Sequence, residues 1–196
     1  MSDRLETLKA DLESFGEAHD AATAARNRRM FNITRDTGQL LAILVRATAA
    51  RRVLEIGTSN GYSTLWLAEA AKAIEGSVTT VEVDAYKIKL ASTNFARSGL
   101  ASFITQVHED AGRFLNASEE GAYDLVFLDS ERSEYTRWWH KLRRVLRPGG
   151  LLVVDNATSH VEELAPLREL MMADGDFAGC LIPIGKGEYV AVRTST

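Results

Sequence analysis

A doubly wound α/β fold is what this sequence predicts: seven strands in a mostly parallel sheet, the last antiparallel, with helices on both faces. Three observations carry it. Short runs that are apolar at consecutive positions recur between Val53 and Val154, as central strands covered on both sides require. Segments of helix length separate these runs. A glycine-bearing loop follows the first run and opens a helix, and open α/β sheets bind ligands beyond such strand ends.

From the N-terminus, residues 3–28 read as a helix. Leu5, Leu8, Leu12 and Phe15 recur at helical spacing, and Ser2 is placed to cap the start. The stretch Ala18 to Ala25 is rich in small residues, a surface suited to a neighbouring helix or a second subunit. Asn32 to Thr37 reads as a loop, and the helical pattern returns over Gly38 to Ala50. Val53–Ile56, Val78–Val83, Phe103–Val107, Leu125–Leu128 and Leu151–Val154 then read as five strands. Pro148-Gly149-Gly150 reads as a turn feeding the fifth. A helix from Val161 to Met172 leads to two more strands, Phe177–Pro183 and Glu188–Arg193. Gly185-Lys186-Gly187 between them reads as a hairpin turn, which makes the last strand antiparallel. A helical segment over residues 1–36 thus precedes a domain over residues 37–196, in one globular body.

The balance of charge excludes some function classes. A net charge of −4 gives no general attraction to nucleic acid or an anionic membrane. Two local basic clusters, Arg26-Asn27-Arg28-Arg29 and Lys141-Leu142-Arg143-Arg144, read as solvated helix faces. No apolar run reaches membrane-spanning length and no apolar leader opens the chain. The single cysteine, Cys180, has no partner for an internal disulfide and reads as a buried, inert thiol in a strand. A reducing, cytoplasmic setting is expected.

The glycine loop carries more information. It runs Glu55-Ile56-Gly57-Thr58-Ser59-Asn60-Gly61-Tyr62-Ser63, an E-x-G-x-x-x-G spacing rather than the G-x-G-x-x-G of dinucleotide loops. Gly57 and Gly61 allow a tight turn, and Thr58, Ser59 and Ser63 line the helix start, whose N–H groups suit a carboxylate. An acid two residues before the first glycine would repel a pyrophosphate but suits a ligand carrying an ammonium and a sulfonium. Glu82 closes the second strand beside Val83, where a carboxylate can accept both ribose hydroxyls. Glu109, Asp110 and Ala111 follow the third strand, where an adenine edge would lie, and Asp110 is also placed as a helix cap.

With these residues in view, Glu55-Ile56-Gly57 through Gly61-Tyr62-Ser63 resembles the cofactor loop of class I S-adenosylmethionine-dependent methyltransferases, whose sheet is Rossmann-like. Thr37-Gly38-Gln39-Leu40-Leu41, Phe127-Leu128-Asp129, Val154-Asp155-Asn156 and Ile184-Gly185-Lys186-Gly187 are similar to the catechol and caffeoyl-CoA O-methyltransferase group, over about Asn32 to Arg193. The resemblance implies a divalent cation held by Asp129, Asp155 and Asn156, and oxygen-only donors suit Mg²⁺ or Ca²⁺. It implies that Asp129 also borders the cofactor, and that the methyl goes to a hydroxyl of a small, catechol-like acceptor. One departure stands out. The group carries a lysine, proposed as general base, three residues after the first metal aspartate; here that residue is Arg132, which cannot be deprotonated. Arg132 is left to steady an oxyanion or bind an acidic substrate, and His160 is the replacement base to consider. Of Trp138 and Trp139, one is expected on the sheet; for the other, core packing is favoured over a neighbour or substrate contact. A homodimer is expected. Two other readings stay open: methylation of a modified tRNA base, and a cofactor-binding or partner-binding domain without turnover.

Overall fold

A computed structural model describes the backbone of residues 2–194 and the side chains of residues 4–194. Its elements are α1 (Ser2–Ala22), α2 (Arg35–Ala47), β1 (Arg52–Ile56), α3 (Tyr62–Lys72), β2 (Ser77–Glu82), α4 (Ala85–Ser98), β3 (Ile104–His108), α5 (Ala111–Ala117), β4 (Tyr123–Leu128), α6 (Tyr135–Val145), β5 (Leu146–Val154), α7 (Val161–Ala173), β6 (Phe177–Ile182) and β7 (Glu188–Arg193). One seven-stranded sheet takes the order β3-β2-β1-β4-β5-β7-β6. Strands β1 to β5 pair in parallel; β7 lies antiparallel between β5 and β6. The chain reverses direction across the sheet between β1 and β4, the switch point where ligands bind in such folds.

Alternation along the strands sends side chains into two cores. Val53, Leu125, Phe127, Leu151 and Val153 pack toward α1–α4 with Leu41, Val45, Leu65 and Phe95. Leu54, Ile56, Val126, Leu128, Leu152 and Val154 pack toward α5–α7 with Trp138, Trp139 and Leu142. Both tryptophans are therefore buried, neither facing a substrate. Leu5, Leu8 and Leu12 of α1 join the first core, so the N-terminal segment is part of the same body.

Several boundaries differ from expectation. The first helix stops at Ala22 rather than running to residue 28; a separate 3-10 turn covers Arg26–Arg28. The reason is tertiary: the Asp20 carboxylate accepts N–H bonds from Met30 (2.6 Å) and Phe31 (2.8 Å), pulling the chain back on itself. Ser2 falls inside the first turn of α1, and its side chain lies outside the described residues. The next helix begins at Arg35, within the stretch read as a loop, because the Thr34 hydroxyl caps it by accepting from Thr37 N. Pro148-Gly149-Gly150 forms a bulge inside β5 rather than a turn before it; the register with β4 jumps there and Gly149 takes φ +72°. Cys180 is exposed, not buried. It sits on β6, an edge strand whose middle residues are all exposed because only β7 flanks it. Among the described residues no helix is long and apolar enough to cross a membrane.

Candidate active site

Strand register builds the site. Ile56 of β1 pairs with Leu128 of β4, and Leu128 with Val154 of β5. One residue further on, Gly57, Asp129 and Asp155 stand in a row, joined by Gly57 N to Val81 O (3.0 Å), Asp129 N to Ile56 O (3.0 Å) and Asp155 N to Leu128 O (3.1 Å). Side chains alternate along a strand, so these three residues project to the face of the sheet that Glu55, Phe127 and Val153 also occupy. The antiparallel strand adds a fourth. Val154 pairs with Tyr189, which sets Glu188 opposite Asp155.

Gly57 is a necessity of this row. Its φ is +105°, and a Cβ there would lie 2.1 Å from Asp129 O. The loop beyond it is lined by Thr58, Ser59, Asn60, Tyr62 and Ser63, and together with Met30–Ile33 and Asp129 it encloses a recess of only about 10 Å³. Ser59 Oγ donates to Met30 O (2.7 Å), so the segment from Met30 to Ile33 lies across the loop. The remaining space is about that of one water. Asn60 is fully buried in the recess, with its Nδ2 unpartnered. Such a donor suits a carboxylate or a purine nitrogen of an entering ligand.

Glu82 is held at the second strand end. Its carboxylate accepts from Ser59 N (3.0 Å), Val83 N (2.9 Å) and Asp84 N (3.0 Å). Two oxygens offer about four acceptor positions, so one stays free for a hydroxyl. Glu109 N donates to Glu82 O (3.1 Å), which brings the third strand end beside it. Asp110 caps α5 by accepting from Arg113 N (2.9 Å), Ala111 opens that helix, and the Glu109 carboxylate pairs with Arg113 at 3.4 Å.

Glu55 does not reach the recess itself. It is fully buried and accepts hydroxyl bonds from Ser63 (2.5 Å), Thr80 (2.6 Å) and Thr64. Ser63 connects it to the recess directly, and Thr58 does so through Thr80. Burial outweighs these three donors and pushes Glu55 up from 4.5 to about 7. A carboxyl whose folded value is raised adds stability at low pH; the contribution is full below its unfolded value and is lost as pH rises through about 7. Glu55→Gln should therefore flatten the decline in stability between about pH 5 and pH 8, as read from urea midpoints. An unchanged decline would show that Glu55 is not the titrating group.

Asp129, Asp155 and Asn156 converge. The Asn156 amide, at φ +68°, donates through one nitrogen to Asp129 Oδ1 (3.1 Å) and Asp155 Oδ2 (2.9 Å). Burial and the facing Asp155 push the Asp129 carboxyl well above its usual range, while Lys186 and Arg132 pull it down. Among the described residues no group of three or more His, Cys, Asp or Glu is arranged for a metal. The donors here are two carboxylates and an amide, and a turn of that amide would direct its oxygen between the carboxylates. This set fits a hard divalent cation, whose charge would also remove the repulsion that raises Asp129.

Three residues of the site, Glu188, Thr37 and Lys186, had no role in it assigned from the sequence. Glu188 is fully buried and accepts from Thr37 Oγ1 (3.0 Å), while its Oε2 has no donor. Burial and Asp155 push it up to about 10. The signal was an acid opening an otherwise apolar strand, legible once that strand is laid against β5. Lys186, on the β6–β7 hairpin, is the third. Of the residues expected to act on the acceptor, Arg132 opens a 3-10 turn and pairs through Nε with Glu163 at 2.7 Å. His160 stands at the N-cap of α7 with its ring bonded to Ser159 Oγ (2.9 Å), and no ring contact joins it to Asp129 or Asp155.

A family model described as O-methyltransferase matches residues 8–191. A catechol O-methyltransferase of Mycobacterium tuberculosis is 35% identical over 150 residues, covering 76% of this chain and 67% of that protein. A catechol O-methyltransferase of Niastella koreensis is 33% identical over 153 residues, covering 72% and 67%. The crystal structure of the O-methyltransferase TomG from Streptomyces achromogenes, involved in tomaymycin synthesis and in complex with SAM, superposes with a TM-score of 0.74 at 27% identity, covering 84% of this chain and 82% of that one. Matched over residues 8–191 and at 35% identity over 76% of its length, this chain belongs to the S-adenosylmethionine-dependent O-methyltransferase family.

Proposed function

We propose that the chain moves the sulfonium methyl of S-adenosylmethionine to a hydroxyl oxygen of a small, catechol-like acceptor, with Mg²⁺ or Ca²⁺ held by Asp129, Asp155 and Asn156. The observation that carries this reading is the row Gly57–Asp129–Asp155 across three adjacent strand ends, which sets the cofactor loop beside the carboxylates. In the transfer an O–C bond forms as the C–S bond breaks, so the acceptor oxygen, the methyl carbon and the sulfur need alignment more than covalent help. A divalent cation, when bound, supplies a Lewis acid that makes the acceptor hydroxyl more acidic.

The chain's own residues do the rest. Met30–Ile33 covers the loop and keeps water from the reacting centre. Glu188 and Thr37 brace Asp155 from the far side. Arg132 cannot receive the acceptor's proton, because a guanidinium stays charged and this one is tied to Glu163. His160 is held neutral in preference: burial and then the Arg132 charge lower it from its ordinary value. That leaves it able to accept a proton released toward solvent. Incubation with S-adenosylmethionine, Mg²⁺ and catechol should yield methylated catechol and S-adenosylhomocysteine, counted by mass spectrometry. No cofactor consumption with any catechol in a panel would favour a binding domain without turnover.

The cofactor half has its own test. Glu82→Ala should weaken S-adenosylmethionine binding by about 1–3 kcal/mol, the loss expected when a carboxylate no longer accepts ribose hydroxyls. Unchanged affinity by calorimetry would remove Glu82 from the cofactor site. We also propose a homodimer; the exposed Ala18, Ala21 and Ala22 of α1 leave room for close helix approach, and light scattering at micromolar concentration would read the mass.

A further inference from the structure

The floor of the site is acidic, but its rim is not. The charges of three cationic side chains from three separate elements reach His160, opposed by that of Glu163. Arg132, from the turn after β4, is spent: its Nε pairs with Glu163 at 2.7 Å and the side chain is only 10% exposed. Lys186 and Arg26 are different. Among the described residues neither is in an ion pair; Lys186 acts on Asp129, and Arg26 on Glu163, only through longer-range charge.

Lys186 is held in place by its backbone. Its carbonyl accepts from Thr158 N (3.0 Å), Ser159 N (3.2 Å) and Thr158 Oγ1 (2.6 Å). The glycines on either side take φ +60° and +86°, and a Cβ on them would lie 2.3 Å from Thr37 Oγ1 or 2.5 Å from Thr158 Cγ2. The hairpin is thus wedged between the start of α2 and the loop that carries Asn156 and His160, with Lys186 at its tip, partly buried. Arg26 approaches from the N-terminal side. Its guanidinium stands 5.3 Å over the ring of Phe31, a residue at φ +51° that lines the recess and leaves 39% of its surface exposed. The charges of Arg132, Arg26 and Lys186 all act on His160.

A neutral catechol offers nothing to two cations that stand without an ion pair. We infer that the acceptor is an aromatic hydroxyl compound bearing a carboxylate, which Lys186 and Arg26 hold at the rim while its ring lies against Phe31. This rests on the methyl-transfer reading above. A partly buried ammonium binds a carboxylate more strongly than a fully solvated one does, and the exposed Arg26 guanidinium adds a second charge at the rim; together they turn the acceptor so that its hydroxyl, not its acid, points to the Asp129–Asp155 floor.

Calorimetry on the S-adenosylhomocysteine complex tests this without turnover. The ligands are 4-hydroxy-3-methoxybenzoate and the matching neutral benzamide. The acid should bind about tenfold tighter or better. The gap should narrow by about threefold in Lys186→Gln or Arg26→Gln, nearly vanish in the double variant, and shrink as salt is raised. Equal affinities, binding of neither ligand, or a gap that survives the double variant would overturn the inference. If the acid is preferred but 3,4-dihydroxybenzoate consumes no S-adenosylmethionine with Mg²⁺ present, the methyl-transfer reading fails while the anion site stands.

Discussion

Asp155→Ala, and separately chelation of divalent cations, should each cut methyl transfer to a catechol acceptor by about a thousandfold or more. Several kcal/mol of charge stabilisation by a cation is being removed, at about 1.4 kcal/mol per factor of ten. The geometry explains why Asp155 is the residue to change. It is 2% exposed, its N–H is fixed to Leu128 O, and its Oδ2 holds the Asn156 amide. It is also the neighbour that most raises Asp129 after burial itself. Removing it leaves one carboxylate and an amide, too few donors for a firm site. Cofactor affinity should hardly move, because no atom of Asp155 lines the recess beside the glycine loop. Activity that survives both treatments would sink the cation. Asp129 and Asp155 would then be strand-end residues, and His160→Ala would be the next variant to assay.

The succession of strands along the chain, the glycine loop and the two strand-end aspartates were legible because each is local. An apolar run marks a central strand, and the residue after it falls on the site whatever the rest of the chain does. What was not legible depends on contacts between distant segments. Glu188 becomes a site residue only because β7 inserts between β5 and β6, a pairing that no stretch of sequence announces. The Met30–Ile33 cover looks like featureless loop; its position follows from Asp20 and Ser59, which hold it by hydrogen bonds from 10 and 29 residues away. Cys180 looks like a core residue by its apolar neighbours, yet an edge strand leaves it exposed. Glu55 is buried where its spacing suggests a ligand contact: Ser63, Thr64 and Thr80 enclose it, and it meets the recess through Ser63 and through Thr80 and Thr58.

Gly57→Ala should lower stability by roughly 3 kcal/mol or more and weaken binding of S-adenosylhomocysteine by about a hundredfold. Two independent terms add. The backbone sits at φ +105°, a region essentially closed to residues with a side chain, and the new Cβ would meet Asp129 O at 2.1 Å. A carbonyl cannot swing aside as a side chain would. Asp129 N is tied to Ile56 O, so relief has to come from parting β1 and β4 at the switch point. That movement disturbs the cofactor loop and the Asp129 carboxylate together. Gly99→Ala is the control. It also sits at positive φ, +71°, but a Cβ there has nothing within 4 Å. It should cost only about 1 kcal/mol, the conformational term alone, and leave ligand affinity unchanged. Urea unfolding and calorimetry on both variants separate the terms: the difference between them is the price of the close approach of Gly57 to Asp129. If Gly57→Ala proves as mild as Gly99→Ala, the loop is not clamped against β4, and the row that joins cofactor to carboxylates is looser than its register implies.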